Sequence, residues 1–120
     1  MTIAALVIAL LAVVFILFIG VRFIVAPAAA VAGFGVPEGR PRVMTNAKGV
    51  RDITSGILML VVLLAAGPHA LGWALVAVAI TPVLDGITVA TNGGTAKYAL
   101  QVHGVTAALL VVAGLVLALG

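Results

Sequence analysis

The sequence has no cysteine. That removes disulfides, thiolate metal sites, iron–sulfur clusters and cysteine nucleophiles at once. Charge is almost as scarce: 8% of the 120 residues are charged, where soluble domains carry about 25%. Too few polar side chains remain to cover a soluble globule of this size, so an ordinary soluble enzyme domain is excluded. Disorder is excluded by the same arithmetic, since it needs low hydrophobicity and high charge. Aromatics are sparse too, at 5%. What is present is apolar: 65% of residues are hydrophobic, mean hydropathy is +1.43, and apolar runs reach about 20 residues, the length of a membrane span.

Four spans are expected, making an all-α polytopic membrane protein with a four-helix transmembrane bundle as its single domain. The first runs over about 3–26 and has no positive charge before it, unlike a signal peptide. Pro27 is expected to end it. A long loop over 27–47 follows, rich in Gly, Pro and charge. The second span covers about 48–66 and closes at Gly67-Pro68. The third covers about 71–91 and stops at the Asn92-Gly93-Gly94 turn signal. The fourth covers about 98–119. Pro82 lacks an amide hydrogen and is expected to disturb the third span.

On this topology Arg22, Arg40, Arg42, Lys48, Arg51 and Lys97 all fall on one side. The positive-inside rule makes that side cytoplasmic. The expected location is the plasma (inner) membrane, multi-pass, with both termini outside and the 27–47 and 92–97 loops cytoplasmic. Basic residues beside apolar runs act as topology signals, so the net charge of +3 does not point to nucleic acid, and none is expected as a partner.

The charges within the spans are more informative. Counted at about 1.5 Å per residue, Arg22, Arg51, Asp52, Asp85 and His103 all lie roughly 5–12 Å below the charged surface. Ionisable groups at that depth cost several kcal/mol unless they face inward and are paired. Thr81, Asp85, Thr88 and Asn92 form one polar stripe on the third span. Lys48, Asp52 and Ser55 share a face of the second, with Arg51 about 100° round from Asp52. His103 and Thr106 are neighbours on the fourth. A mutual polar cluster is expected, with Asp85, His103, Asp52 and Arg51 as candidate catalytic groups. Arg22, Lys48, Thr81, Thr88, Ser55 and Thr106 are candidate ligand contacts.

Each residue also has a plainer role. Arg22, Lys48 and Lys97 can snorkel to the headgroups. Arg51, Asp52 and Asp85 can form a structural salt-bridge network. His103 can hydrogen-bond a neighbouring helix, and the threonines can bond their own backbone. Trp73 and Tyr98 read as interfacial anchors. His69 and His103 fall on opposite sides, so one chain cannot supply a bis-histidine haem. Nearby cations oppose a metal held by Asp52, Asp85 and His103. No phosphate loop, dinucleotide fingerprint or Ser–His–Asp order occurs. Neither cofactor nor metal is expected.

Four stretches together carry a resemblance: Gly33-Phe34-Gly35-Val36-Pro37, Lys48-Gly49-Val50-Arg51-Asp52-Ile53-Thr54-Ser55-Gly56, Pro82-Val83-Leu84-Asp85-Gly86 and His103-Gly104-Val105-Thr106-Ala107. In that order the chain resembles domain-of-unknown-function family 4267, small four-helix integral membrane proteins found mostly in bacteria. The resemblance implies the four-span fold and supplies no activity.

Three functions are compatible with the cluster. One is a cofactor-free enzyme of isomerase or epoxide-opening type, acting on a small lipophilic substrate by proton transfer. A second is a small transporter or channel. That role favours a carboxylate whose proton affinity is raised by burial, whereas neighbouring arginines act oppositely. A third is an accessory subunit of a larger membrane complex, with the net positive cluster receiving a lipid headgroup. Beyond the lipid bilayer itself, the expected partners are a lipophilic molecule or a lipid headgroup. A homo-oligomer is also compatible, because Ala5, Ala9 and Ala12 give the first span a smooth face.

Overall fold

A computed structural model describes residues 1–37 and 42–120. Every regular element among the described residues is helical. The order is α1 (Thr2–Val25), α2 (Pro27–Phe34), α3 (Arg42–Val78), α4 (Ile80–Thr91), α5 (Ala96–Ala99), a π-helical turn (Leu100–Gly104) and α6 (Val105–Leu119). A straight helix as long as the 37 residues of α3 would measure about 55 Å. That exceeds the longest dimension of the molecule, 43 Å. Gly67 resolves the conflict: at φ 80° and ψ −178° it leaves the helix and turns the chain back. Such a φ is strained for side chains with a Cβ, and glycine adopts it freely. Pro68 restarts the helix at once, its fixed φ and missing N–H suiting the first helical position. Four long rods result: α1, the first part of α3, the second part of α3 continued by α4, and α5 continued through the π turn into α6.

The rods are long and apolar enough to cross a membrane; Thr2–Val25, Arg42–Thr91 and Ala96–Leu119 all meet that test, and the middle stretch contains the Gly67 fold-back. Their outward faces are hydrocarbon, with Leu64, Leu100 and Ile80 well exposed. The interior has two centres. Away from the charged end, Ala5, Ala9, Val13, Met59, Leu71, Leu75, Leu110, Ala113 and Leu117 form one core. Near the charged end, Phe23, Ala30, Val31, Val36, Val89 and Ala99 form another, beneath α2.

Two glycine crossings bring rods close together. A Cβ on Gly20 of α1 would stand 2.8 Å from the Gly49 carbonyl oxygen of α3, and one on Gly49 would stand 2.6 Å from that of Gly20. Gly72 and Gly114 repeat the arrangement between α3 and α6, at 2.6 and 2.7 Å. Where lipid tails would remove the hydrophobic drive between helices, such small-residue contacts let backbones pack closely.

The chain differs from the expected segmentation in three places. Residues 27–34 form helix α2 rather than loop. Pro27, expected to stop a helix, instead occupies the first turn of a new one after Ala26 leaves helical geometry at φ −137°, ψ 62°. The next rod begins at Arg42 rather than near Lys48, and Arg42 Nη2 reaches back 3.1 Å to the Ile24 carbonyl at the end of α1. Arg40 and the 38–41 part of the expected loop lie outside the described residues. The disturbance expected from Pro82 falls just before it, between α3 and α4 at Ala79, because Pro82 offers no N–H to the Val78 carbonyl one turn earlier.

Candidate functional site

Lys48 and Asp52 are four residues apart on α3 and so share a face. Lys48 Nζ donates to Asp52 Oδ2 at 2.9 Å and, across to α4, to Asp85 Oδ2 at 3.3 Å. Arg51 reinforces both contacts. Its Nε lies 3.4 Å from Asp52 Oδ1, and its Nη2 lies 3.2 Å from each Asp85 oxygen. Both carboxylates are therefore held by two cations. Asp52 is 1% exposed, Lys48 and Asp85 are 16% exposed, and Arg51 is 49% exposed at the rim. Charged hydrogen bonds of this kind offset the desolvation that burying Asp52 imposes.

The lysine is the unexpected centre. Rather than snorkelling outward, its ammonium lies inside, 4.9 Å from the ring centroids of both Phe23 and Phe34. The rings offer their negative faces to the cation. Arg51, whose angular offset suggested a different neighbour from that of Asp52, reaches both acids through its long side chain.

His103 goes elsewhere. Its Nε2 lies 3.0 Å from the Phe34 carbonyl oxygen, and because a carbonyl only accepts, Nε2 carries the proton. In the neutral ring Nδ1 is then the acceptor. The imidazole meets the Phe34 ring edge-on at 4.9 Å between centroids. It also packs beside α4: a Cβ on Gly86, next to Asp85, would stand 3.2 Å from His103 Cβ. Tyr98 makes a parallel tie, its hydroxyl donating to the Gly33 carbonyl at 2.6 Å. These two side chains satisfy carbonyls at the C-terminus of α2 that the helix itself leaves without partners. Tyr98 thus fastens α2, a task its reading as an interfacial anchor does not include. The imidazole sits on a π turn, a wide geometry often found at functional positions.

Beneath α2 lies a cavity of about 320 Å³. Arg22, Lys48, Asp52, Ser55, Thr81, Asp85, His103 and Thr106 border it, and the rest of the wall is apolar, including Val13, Ile16, Met59, Leu75 and Leu110. On α1 the lining runs from Ala12 to Phe23, about 16 Å at the helical rise. The space is elongated along α1, with polar groups toward the α2 end and hydrocarbon toward the other. Among the described residues α1 and α4 scarcely touch, whereas α1 packs on α3 and α6. Phe15 and Phe18, about half exposed, belong to the α1 wall of the cavity.

Eight of the ten candidate side chains border this cavity. Arg51 and Thr88 instead border a separate groove of about 330 Å³, which shares Phe23, Phe34, Lys48 and Asp85 with the first. The hydroxyls of Ser55, Thr88 and Thr106 bond backbone carbonyls one turn back, at 2.9, 2.8 and 2.7 Å, as serine and threonine hydroxyls on helices commonly do. Among the described residues no three carboxylate or imidazole side chains converge as a metal site would require. Sequence reading missed Phe23 and Phe34, whose rings flank Lys48. Their signal was faint, since an isolated phenylalanine in an apolar segment reads as filler.

The family model described as "Domain of unknown function (DUF4267)" matches residues 3–117. No curated protein matches the chain, and no solved structure does.

Proposed function

The chain belongs to the DUF4267 family, and we propose that it is a multi-pass membrane protein that draws a small lipophilic molecule bearing a polar group out of the bilayer into the cavity under α2. One observation carries this reading. The cavity has a polar floor and hydrocarbon walls, and its α1 wall carries the half-exposed rings of Phe15 and Phe18, which face both the space and the surroundings. A volume of about 320 Å³ is at the small end of known ligand sites, which span roughly 300–1,000 Å³. The molecule's 43 Å length suits a bilayer of about 40–45 Å including headgroups. The basic residues favour an orientation with α2 at the cytoplasmic face of the inner membrane and both termini outside.

Binding is checked with dodecanol, a chain with one hydroxyl, by native mass spectrometry of the purified protein released from micelles. The wild type is expected to retain one dodecanol, and Ser55→Phe, which fills the space beside Asp52, is expected to lose it with the helical content unchanged. Equal retention by both proteins, or none by the wild type, overturns the reading.

A second reading, cofactor-free proton transfer on the bound molecule, is favoured by the position of His103. Its Nε2 is committed to Phe34, which fixes the ring and leaves Nδ1 as the basic nitrogen. Isomerisation of a β,γ-unsaturated ketone requires that a proton be taken from one carbon and returned to another, which one such base can do. Asp85, clamped between Lys48 and Arg51, then serves to position the floor. A lipophilic β,γ-unsaturated ketone should be isomerised by the wild type and bound without turnover by His103→Asn. Turnover by both proteins at one rate removes His103 from the chemistry. Proton-coupled transport has less support, since both carboxylates are taken up in ion pairs with Lys48 and Arg51.

A further inference from the structure

We infer that the molecule held in the cavity is a single-chain amphiphile whose head is a carboxylate, received by Arg22 beside Lys48. This rests on the reading of the cavity as a ligand site and names the chemistry of what fills it.

The charges on the floor do not balance. Lys48 and Arg51 saturate Asp52 and Asp85, which accounts for every acid among the described residues. Arg22 is the cation left over. It is half-buried, borders the cavity, and its Nη1 lies beside α2, 3.7 Å from where a Cβ on Gly33 would stand. Among the described residues no carboxylate pairs with it. A guanidinium in a poorly hydrated layer gains most from an anion, and its planar fork matches the two oxygens of a carboxylate. Lys48 uses two of its N–H groups on Asp52 and Asp85, leaving the third of the ammonium's donors for the same head.

A single surplus charge favours a head with one negative charge over a phosphate monoester, whose second charge would go unmatched. A lipophilic cation would need an unclaimed acid, and both acids are claimed. The rest of the ligand follows from shape. A space of about 320 Å³ lined from Arg22 past Ile16 and Met59 to Leu75 has room for one hydrocarbon chain. A two-chain phospholipid is too large for about 320 Å³.

The test compares three probes of one chain length, dodecanoate, dodecanol and dodecyltrimethylammonium, on the full chain at neutral pH by native mass spectrometry. Dodecanoate should bind at least about tenfold more tightly than dodecanol, and dodecyltrimethylammonium should not be retained. Arg22→Gln should abolish the advantage of dodecanoate over dodecanol, and an unchanged helical circular dichroism spectrum and unfolding transition certify that the variant is folded. Arg22→Lys should keep part of the advantage. Equal affinities for dodecanoate and dodecanol in the wild type, or an Arg22→Gln variant that binds dodecanoate as before, overturns the carboxylate assignment and leaves the cavity reading standing. Failure of all three probes to bind overturns both.

Discussion

Removing the Lys48 ammonium strands Asp52, a carboxylate 1% exposed to the surroundings, with Arg51 at 3.4 Å as its remaining partner. Lys48→Met should therefore destabilise the fold by about 3 kcal/mol, the range seen when one member of a buried ion pair is deleted. Pairing it with Asp52→Leu should recover most of that loss, because no buried charge then lacks a partner. Unfolding in detergent with increasing dodecyl sulfate measures both. At the other tie, Tyr98→Phe removes the 2.6 Å hydrogen bond to Gly33. It should cost about 1 kcal/mol and speed amide exchange in α2 ahead of the rest of the chain. The acids of this layer were legible in the sequence, since Asp52 and Asp85 lie on polar stripes of otherwise apolar helices. For Lys48 the sequence left two readings open, snorkelling and a shared face with Asp52, and the i, i+4 ion pair to Asp52 is the one that forms. The bond from His103 to Phe34 joins positions 69 residues apart, and no local pattern announces it.

Among the elements, the two glycine crossings set how closely the rods approach. Gly49→Ala places a methyl 2.6 Å from a backbone oxygen that cannot move aside. It should push α1 from α3 at a cost of about 1–3 kcal/mol, as overpacking does. Gly104→Ala is the control. Its nearest neighbour is the flexible Leu100 side chain at 3.0 Å, so its unfolding transition should shift by less than about 0.5 kcal/mol. Gly104 and Ala108, four residues apart, are also small, yet the close approach on that rod is made by Gly114. Spacing marks a face as smooth without saying which smooth face meets another. Helix α2 was hidden for a related reason. Proline ends one helix and begins the next with equal ease, and the eight residues of α2 are too few for a periodic pattern to stand out.

At the level of the whole molecule, the four rods and their all-helical class were readable because long apolar runs broken by Gly67-Pro68 and Asn92-Gly93-Gly94 admit few other folds. The cavity was not, since an unfilled space depends on which helices fail to meet. The absence of native cysteine makes the proposed orientation directly testable. In intact cells, His69→Cys in the turn after Gly67 should react with a membrane-impermeant maleimide, and Asn92→Cys at the end of α4 should react only after the cells are opened. The reverse pattern would invert the orientation and place α2 outside.

The same two rings, Phe15 and Phe18, line the cavity and stand half exposed on the outside of α1. On the proposed reading they form a doorway: fluid acyl chains against them would leave it unlatched, whereas a helix from a neighbouring protein would shutter it. Admission of a guest would then be set by the company the chain keeps, and crowding it with a tight neighbour should slow both loading and unloading.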